Sequence, residues 1–103
     1  SAEEHYYKVR YDYTDNHFSR IVKITDSTHF KNQVDKIEQY KTYYKGHKLV
    51  QNFQLKYYFP RKIQSVSNPL ATISADRKSL SLQLLLTDCL QNPEITNLEV
   101  VLE

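Results

Sequence analysis

Methionine and tryptophan are absent from this 103-residue chain, glycine and cysteine occur once each, and proline three times. The single glycine, Gly46, excludes the glycine-rich loops whose backbone N–H groups approach a phosphate, so neither a P-loop nor a dinucleotide fingerprint can be assembled. One cysteine, Cys89, excludes an internal disulfide and a cysteine-rich metal cage, and leaves the compartment open. No apolar run approaches the roughly 20 residues of a membrane-spanning helix, and there is no signal-peptide pattern. The net charge of +2 is too small to demand a nucleic-acid partner.

Tyrosine is abundant, at nine residues. Aromatic rings with few glycines suit strands, where they cover a half-buried pleated surface. The clearest example is residues 48–60, where Leu49, Phe53, Leu55, Tyr57 and Phe59 alternate with Lys48, Asn52, Gln54, Lys56 and Tyr58, Gln51 and Val50 being the exceptions in the two rows. Successive strand side chains point to opposite faces, so this period of two predicts a long strand with one face in a core. Residues 5–13 alternate in the same way, with His5, Tyr7, Val9, Tyr11 and Tyr13 on one face and Tyr6, Lys8, Arg10 and Asp12 on the other. The turn-forming cluster at 14–17 and a strand over 18–25, with Phe18, Val22 and Ile24 on one face, complete a predicted hairpin.

The period changes after Asp26-Ser27-Thr28, any of which can cap a helix. Phe30, Val34, Ile37, Tyr40 and Tyr44 form one stripe at steps of three and four, predicting a helix over 27–45 that ends at Lys45-Gly46. Ile63 and Val66 predict a short extended piece, and Asn68-Pro69 a turn. Residues 71–75 and 79–86 flank Asp76-Arg77-Lys78 as a second hairpin, with Leu80, Leu82, Leu84 and Leu86 inward. Thr87-Asp88 is the expected cap of a short helical turn over 89–94, and Leu98, Val100 and Leu102 mark a closing strand. The expected fold is a single α+β domain over residues 1–103, with one curled antiparallel or mixed sheet of about six strands packed on the helix.

Phe59-Pro60-Arg61-Lys62-Ile63-Gln64-Ser65, followed by Ser74-Ala75-Asp76-Arg77-Lys78-Ser79-Leu80 and its leucine-alternating strand, resembles the closing segment of small exported, membrane-tethered lipoprotein domains of the LppM-like type. The resemblance covers residues 59–102, and Arg77 departs from it where that family prefers glycine. It implies an extracytoplasmic fragment, in the periplasm or at the cell surface, of an exported or lipid-anchored protein. The partners it implies are another envelope protein, a glycan or a lipid surface. It brings no catalytic residue.

The chain carries no G-x-S-x-G turn, and none of His5, His17, His29 and His47 has the spacing of a metal-ligand pair. Asp15 and Asp26 are accounted for by a turn and a cap, and Cys89 suits a buried thiol beside Leu90. The expectation is a non-enzyme with neither metal nor cofactor. If the strands over 5–13 and 48–60 share a sheet, Tyr6, Lys8 and Arg10 join Lys56 and Tyr58 on one outward face, with Arg61-Lys62 and Arg77-Lys78 as basic corners. Rings among cations suit an anionic glycan or lipid headgroup, and the same pattern suits an ordinary solvated face. The functional expectation is a binding or scaffolding domain. The alternative is a carrier holding a lipid or small apolar ligand between sheet and helix.

Overall fold

The computed structural model describes residues 6–43 and 51–103. Its elements are β1 (Tyr7–Thr14), β2 (His17–Ile24), α1 (Ser27–Tyr43), β3 (Asn52–Tyr58), β4 (Ile63–Val66), β5 (Thr72–Ile73), β6 (Ser79–Leu85), α2 (Leu86–Gln91), a 3₁₀ turn (Pro93–Thr96) and β7 (Leu98–Leu102). The α+β class and the main helix match the sequence reading. His5, His47, residues 48–50 of the central strand, and the helix end at Tyr44, Lys45 and Gly46 lie outside the described residues.

The single curled sheet does not form. The strands divide into two antiparallel sheets, ordered β1-β2-β7-β4 and β3-β6-β5. Leu80, Leu82, Leu98, Val100, Leu102 and Ile63 are at most 1% exposed, and with Phe59 they make one cluster contributed by both sheets. β6 and β7 each supply one apolar row, and two such rows bury one another when the sheets face each other. The alternation in β3 is as expected: Phe53, Leu55 and Tyr57 are half-buried between exposed neighbours, and they lie opposite Leu84, Leu82 and Tyr57's partner Leu80 on β6.

The helix is therefore not the layer that covers a sheet. None of its 17 residues is buried; Phe30, Val34 and Ile37 are half-buried and Tyr40 is exposed. It packs chiefly on α2, where Lys41 Nζ donates to Gln91 Oε1 at 3.0 Å and Gln91 Nε2 donates to Glu38 Oε2 at 2.8 Å. Its start is as expected: Asp26 Oδ1 accepts the His29 N–H at 3.0 Å, satisfying a first-turn donor. The second cap differs from expectation. β6 runs directly into α2, so Thr87 and Asp88 lie inside that helix, and the Leu86 N–H donates to the Gln51 carbonyl at 2.8 Å.

Both hairpin turns form at the expected positions. Asp15 and Arg77 take positive φ of 55° and 62°, the left-handed region that the sharp reversals require. At the second turn Asp76 Oδ1 accepts the Ser74 hydroxyl at 2.6 Å and the Lys78 N–H at 2.9 Å. Asn68 makes the third turn, its Oδ1 accepting the Leu70 N–H at 2.9 Å.

Candidate functional site

The expected outward face is divided between the two sheets. Lys8 and Arg10 lie exposed on β1, an edge of the four-stranded sheet, opposite Lys23 and Ile21 of β2. Lys56 and Tyr58 lie exposed on β3, an edge of the three-stranded sheet, with the Lys56 ammonium 5.2 Å from the Tyr58 ring centroid. Tyr6 is drawn inward instead, its ring 4.9 Å from that of His29 and 5.9 Å from that of Phe30. The premise that the first strand and the central strand share a sheet fails because β7 takes the place beside β2 and β6 takes the place beside β3.

The two basic corners, in contrast, become one. The Phe59 N–H donates to the Lys78 carbonyl and the Ile63 N–H to the Arg77 carbonyl, both at 2.7 Å, which sets the 61–62 corner against the 77–78 turn. Tyr58, opposite Ser79, continues this end along β3 to Lys56. Two of the cations have structural tasks. Arg61 donates to the carbonyls of Glu103 at 3.1 Å and Asp15 at 2.9 Å, and Arg77 donates to the Ile63 carbonyl. Arg61, Lys62, Arg77 and Lys78 are all exposed. Asp76 sits among them as a carboxylate, its pKa lowered first by the Ser74 hydroxyl and then by the Lys78 N–H.

A second site was not anticipated. Arg20 follows Phe18 and precedes Val22 in the inward row of β2, and it is only 7% exposed. Its Nε donates to the Tyr57 hydroxyl at 3.0 Å and its Nη1 to Thr96 Oγ1 at 2.6 Å; the Thr96 hydroxyl in turn donates to the Pro93 carbonyl at 2.7 Å. The guanidinium carbon lies 5.8 Å from the Tyr11 ring centroid, and the Tyr11 and Tyr57 hydroxyls are 2.9 Å apart. Every one of these partners is neutral. The period-two row was the available signal, since it places a charge where the flanking residues are apolar.

Beside Arg20 lies a partly open cavity of about 140 Å³, walled by Arg20 and Thr96 together with Val22, Phe53, Cys89 and Leu90. Burial pushes the Tyr57 hydroxyl up to about 12, assisted by its hydrogen bond with Tyr11 and opposed by Arg20. Burial also pushes the Cys89 thiol up, with the Asp88 carboxylate adding to the shift and Arg20 opposing it. That thiol is therefore a poor nucleophile at neutral pH. Among the described residues no group of three or more His, Cys, Asp or Glu side chains gathers to hold a metal ion, and no helix is long and apolar enough to cross a membrane.

No family model, curated protein or solved structure matches this chain.

Proposed function

We propose that this chain is a non-catalytic extracytoplasmic binding domain of an exported, membrane-tethered protein, and that it docks through its basic end on an anionic lipid surface. The observation that carries this reading is the convergence of Arg61-Lys62 with Arg77-Lys78, two corners 16 positions apart in sequence, beside the Lys56–Tyr58 edge. Near an anionic membrane each Lys or Arg contributes on the order of 1 kcal/mol, so several on one end suffice for weak, reversible docking. Tyr58, 74% exposed, adds an amphipathic ring of the kind that sits at headgroup level. Asp76 reduces the local positive charge, and the modest net charge favours an interaction that salt weakens. The tethered, extracytoplasmic setting is supported by the likeness of residues 59–102 to LppM-like domains.

The test is co-sedimentation with vesicles containing phosphatidylglycerol, compared with pure phosphatidylcholine. The pair Lys62→Glu and Lys78→Glu is the informative variant, because both ammonium groups are outside the hydrogen-bond network that Arg61 and Arg77 maintain. Binding to the anionic vesicles should fall at least about tenfold, since each reversal replaces an attraction on the order of 1 kcal/mol with a repulsion. Lys8→Glu with Arg10→Glu, on the edge of the other sheet, should leave binding nearly unchanged. Equal binding to neutral and anionic vesicles, or undiminished binding by the Lys62/Lys78 variant, overturns the reading.

A further inference from the structure

The second site is independent of the basic end and has chemistry of its own. A guanidinium in the interior is costly unless its charge is paired and its donors are occupied. Arg20, 7% exposed, has only neutral partners among the described residues: the Tyr57 and Thr96 hydroxyls and the face of the Tyr11 ring. Those two hydroxyls take one N–H from Nε and one from Nη1, while a guanidinium carries five N–H donors. Nη2, which makes no hydrogen bond to the described residues, is not sealed in protein. No buried side-chain nitrogen or oxygen among the described residues lacks a hydrogen-bond partner, and Arg20 forms part of the cavity wall.

The rest of that wall limits what can enter. Val22, Phe53, Cys89 and Leu90 are apolar, Tyr6 and Tyr7 add aromatic rings with neutral hydroxyls, Thr96 already donates its hydroxyl proton to Pro93, and the thiol of Cys89 is held protonated by its burial. Among the described residues no wall residue is a carboxylate that would compete for the guanidinium. The volume of about 140 Å³ is close to the roughly 150 Å³ that accommodates a benzene-sized molecule, and well below the several hundred Å³ of drug-sized pockets. A whole lipid chain exceeds the volume that this cavity holds.

We infer that the cavity beside Arg20 is a binding site for a small monocarboxylate with a compact apolar body, a single aromatic ring or a short branched chain, whose carboxylate pairs with the Arg20 guanidinium. A planar carboxylate matches the planar fork of N–H groups, and a charge-assisted pair in a partly desolvated site is stronger than the same pair in water. The apolar body covers the faces of Phe53 and Leu90 that now border the cavity.

Benzoate and isovalerate are suitable probes, each compared with its neutral amide, by titration of the amide and methyl NMR signals of the full chain. Saturable shifts are expected at the Arg20 Nε–H, the Val22 methyls and the Thr96 amide. Binding of the amides should be at least about tenfold weaker, the factor that loss of a hydrogen bond to a charged group implies. Arg20→Gln should remove the preference for the acid. Because that variant also loses two native hydrogen bonds, Leu90→Trp, which fills the cavity and leaves Arg20 in place, is the second arm and should abolish the shifts. Acid and amide binding equally, shifts that persist in Leu90→Trp, or no saturable shift at this site with either acid overturns the inference. The vesicle assay with the Lys62/Lys78 variant is unaffected by any of these outcomes.

Discussion

Arg20 and Tyr57 show how one buried charge organises its surroundings. The guanidinium holds the Tyr57 hydroxyl as an acceptor, and that hydroxyl meets Tyr11 at 2.9 Å, so three side chains from three strands share one polar point beside the apolar core. Desolvation dominates the titration of Tyr57 and raises it from 10.0 to about 12. A native value above the unfolded one means that the folded state holds the proton more tightly. Its contribution to stability is fully present below pH 10.0 and is lost as pH rises toward about 12. Urea denaturation between these limits should show stability falling with pH, and Tyr57→Phe should flatten most of that slope. Tyr6, also raised by burial, accounts for a smaller remainder. A slope unchanged in Tyr57→Phe would assign the loss to other groups. The two residues at positive φ differ in how plainly they announce themselves. Asp15 belongs to a residue type that tolerates the left-handed region, whereas Arg77 does not, and its hydrogen bond to the Ile63 carbonyl offsets part of that cost.

At the scale of elements, periodicity determines which side of a segment is buried and leaves open what buries it. The rows Leu80-Leu82-Leu84 and Leu98-Val100-Leu102 were legible because period two is a property of one strand alone. The stripe Phe30-Val34-Ile37 was equally legible, but the helix packs chiefly on α2, with Phe30 beside the Tyr6 ring, because the two sheets already bury their apolar rows in one shared cluster. Pairing order is a long-range property, and for that reason the outward face proposed for Lys8, Arg10, Lys56 and Tyr58 came apart while the corner pair at 61–62 and 77–78 came together. Arg20 was missed for a different reason. A charged residue in an inward row resembles an exception until the hydroxyls that receive it, Tyr57 and Thr96, are brought from positions 37 and 76 residues away. The contrast between layers has a measurable consequence. Leu98→Ala removes a side chain with no exposed surface and should cost about 2–5 kcal/mol. Ile37→Ala, on a helix with no buried residue, should cost less than about 1.5 kcal/mol. Equal losses in chemical denaturation would mean that the helix is part of the principal core after all.

For the whole molecule, the placement of β7 governs how stability is distributed. It is the last strand in the chain, yet it occupies an interior position of its sheet, paired with β2 on one side and β4 on the other. Leu98, Val100 and Leu102 are completely buried there, while β1 at the sheet edge is exposed at seven of its eight positions and α1 buries nothing fully. Edge strands and peripheral helices open through local fluctuations, whereas amides of central strands are released only when most of the fold is lost. Closing β7 against β2 also joins segments some 80 residues apart, a long loop to form before any contact compensates for its entropy. Native-state hydrogen exchange should therefore separate into two groups. Amides of β6 and β7 should exchange with a free energy equal to that from denaturant unfolding and should shift together when Leu98 is truncated. Amides of α1, and those of β1 on its unpaired edge, should exchange at lower free energy and respond little to that truncation. If α1 instead exchanged only through global unfolding, the helix would have to be coupled to the sheets far more strongly than its half-buried stripe and its contact with α2 permit.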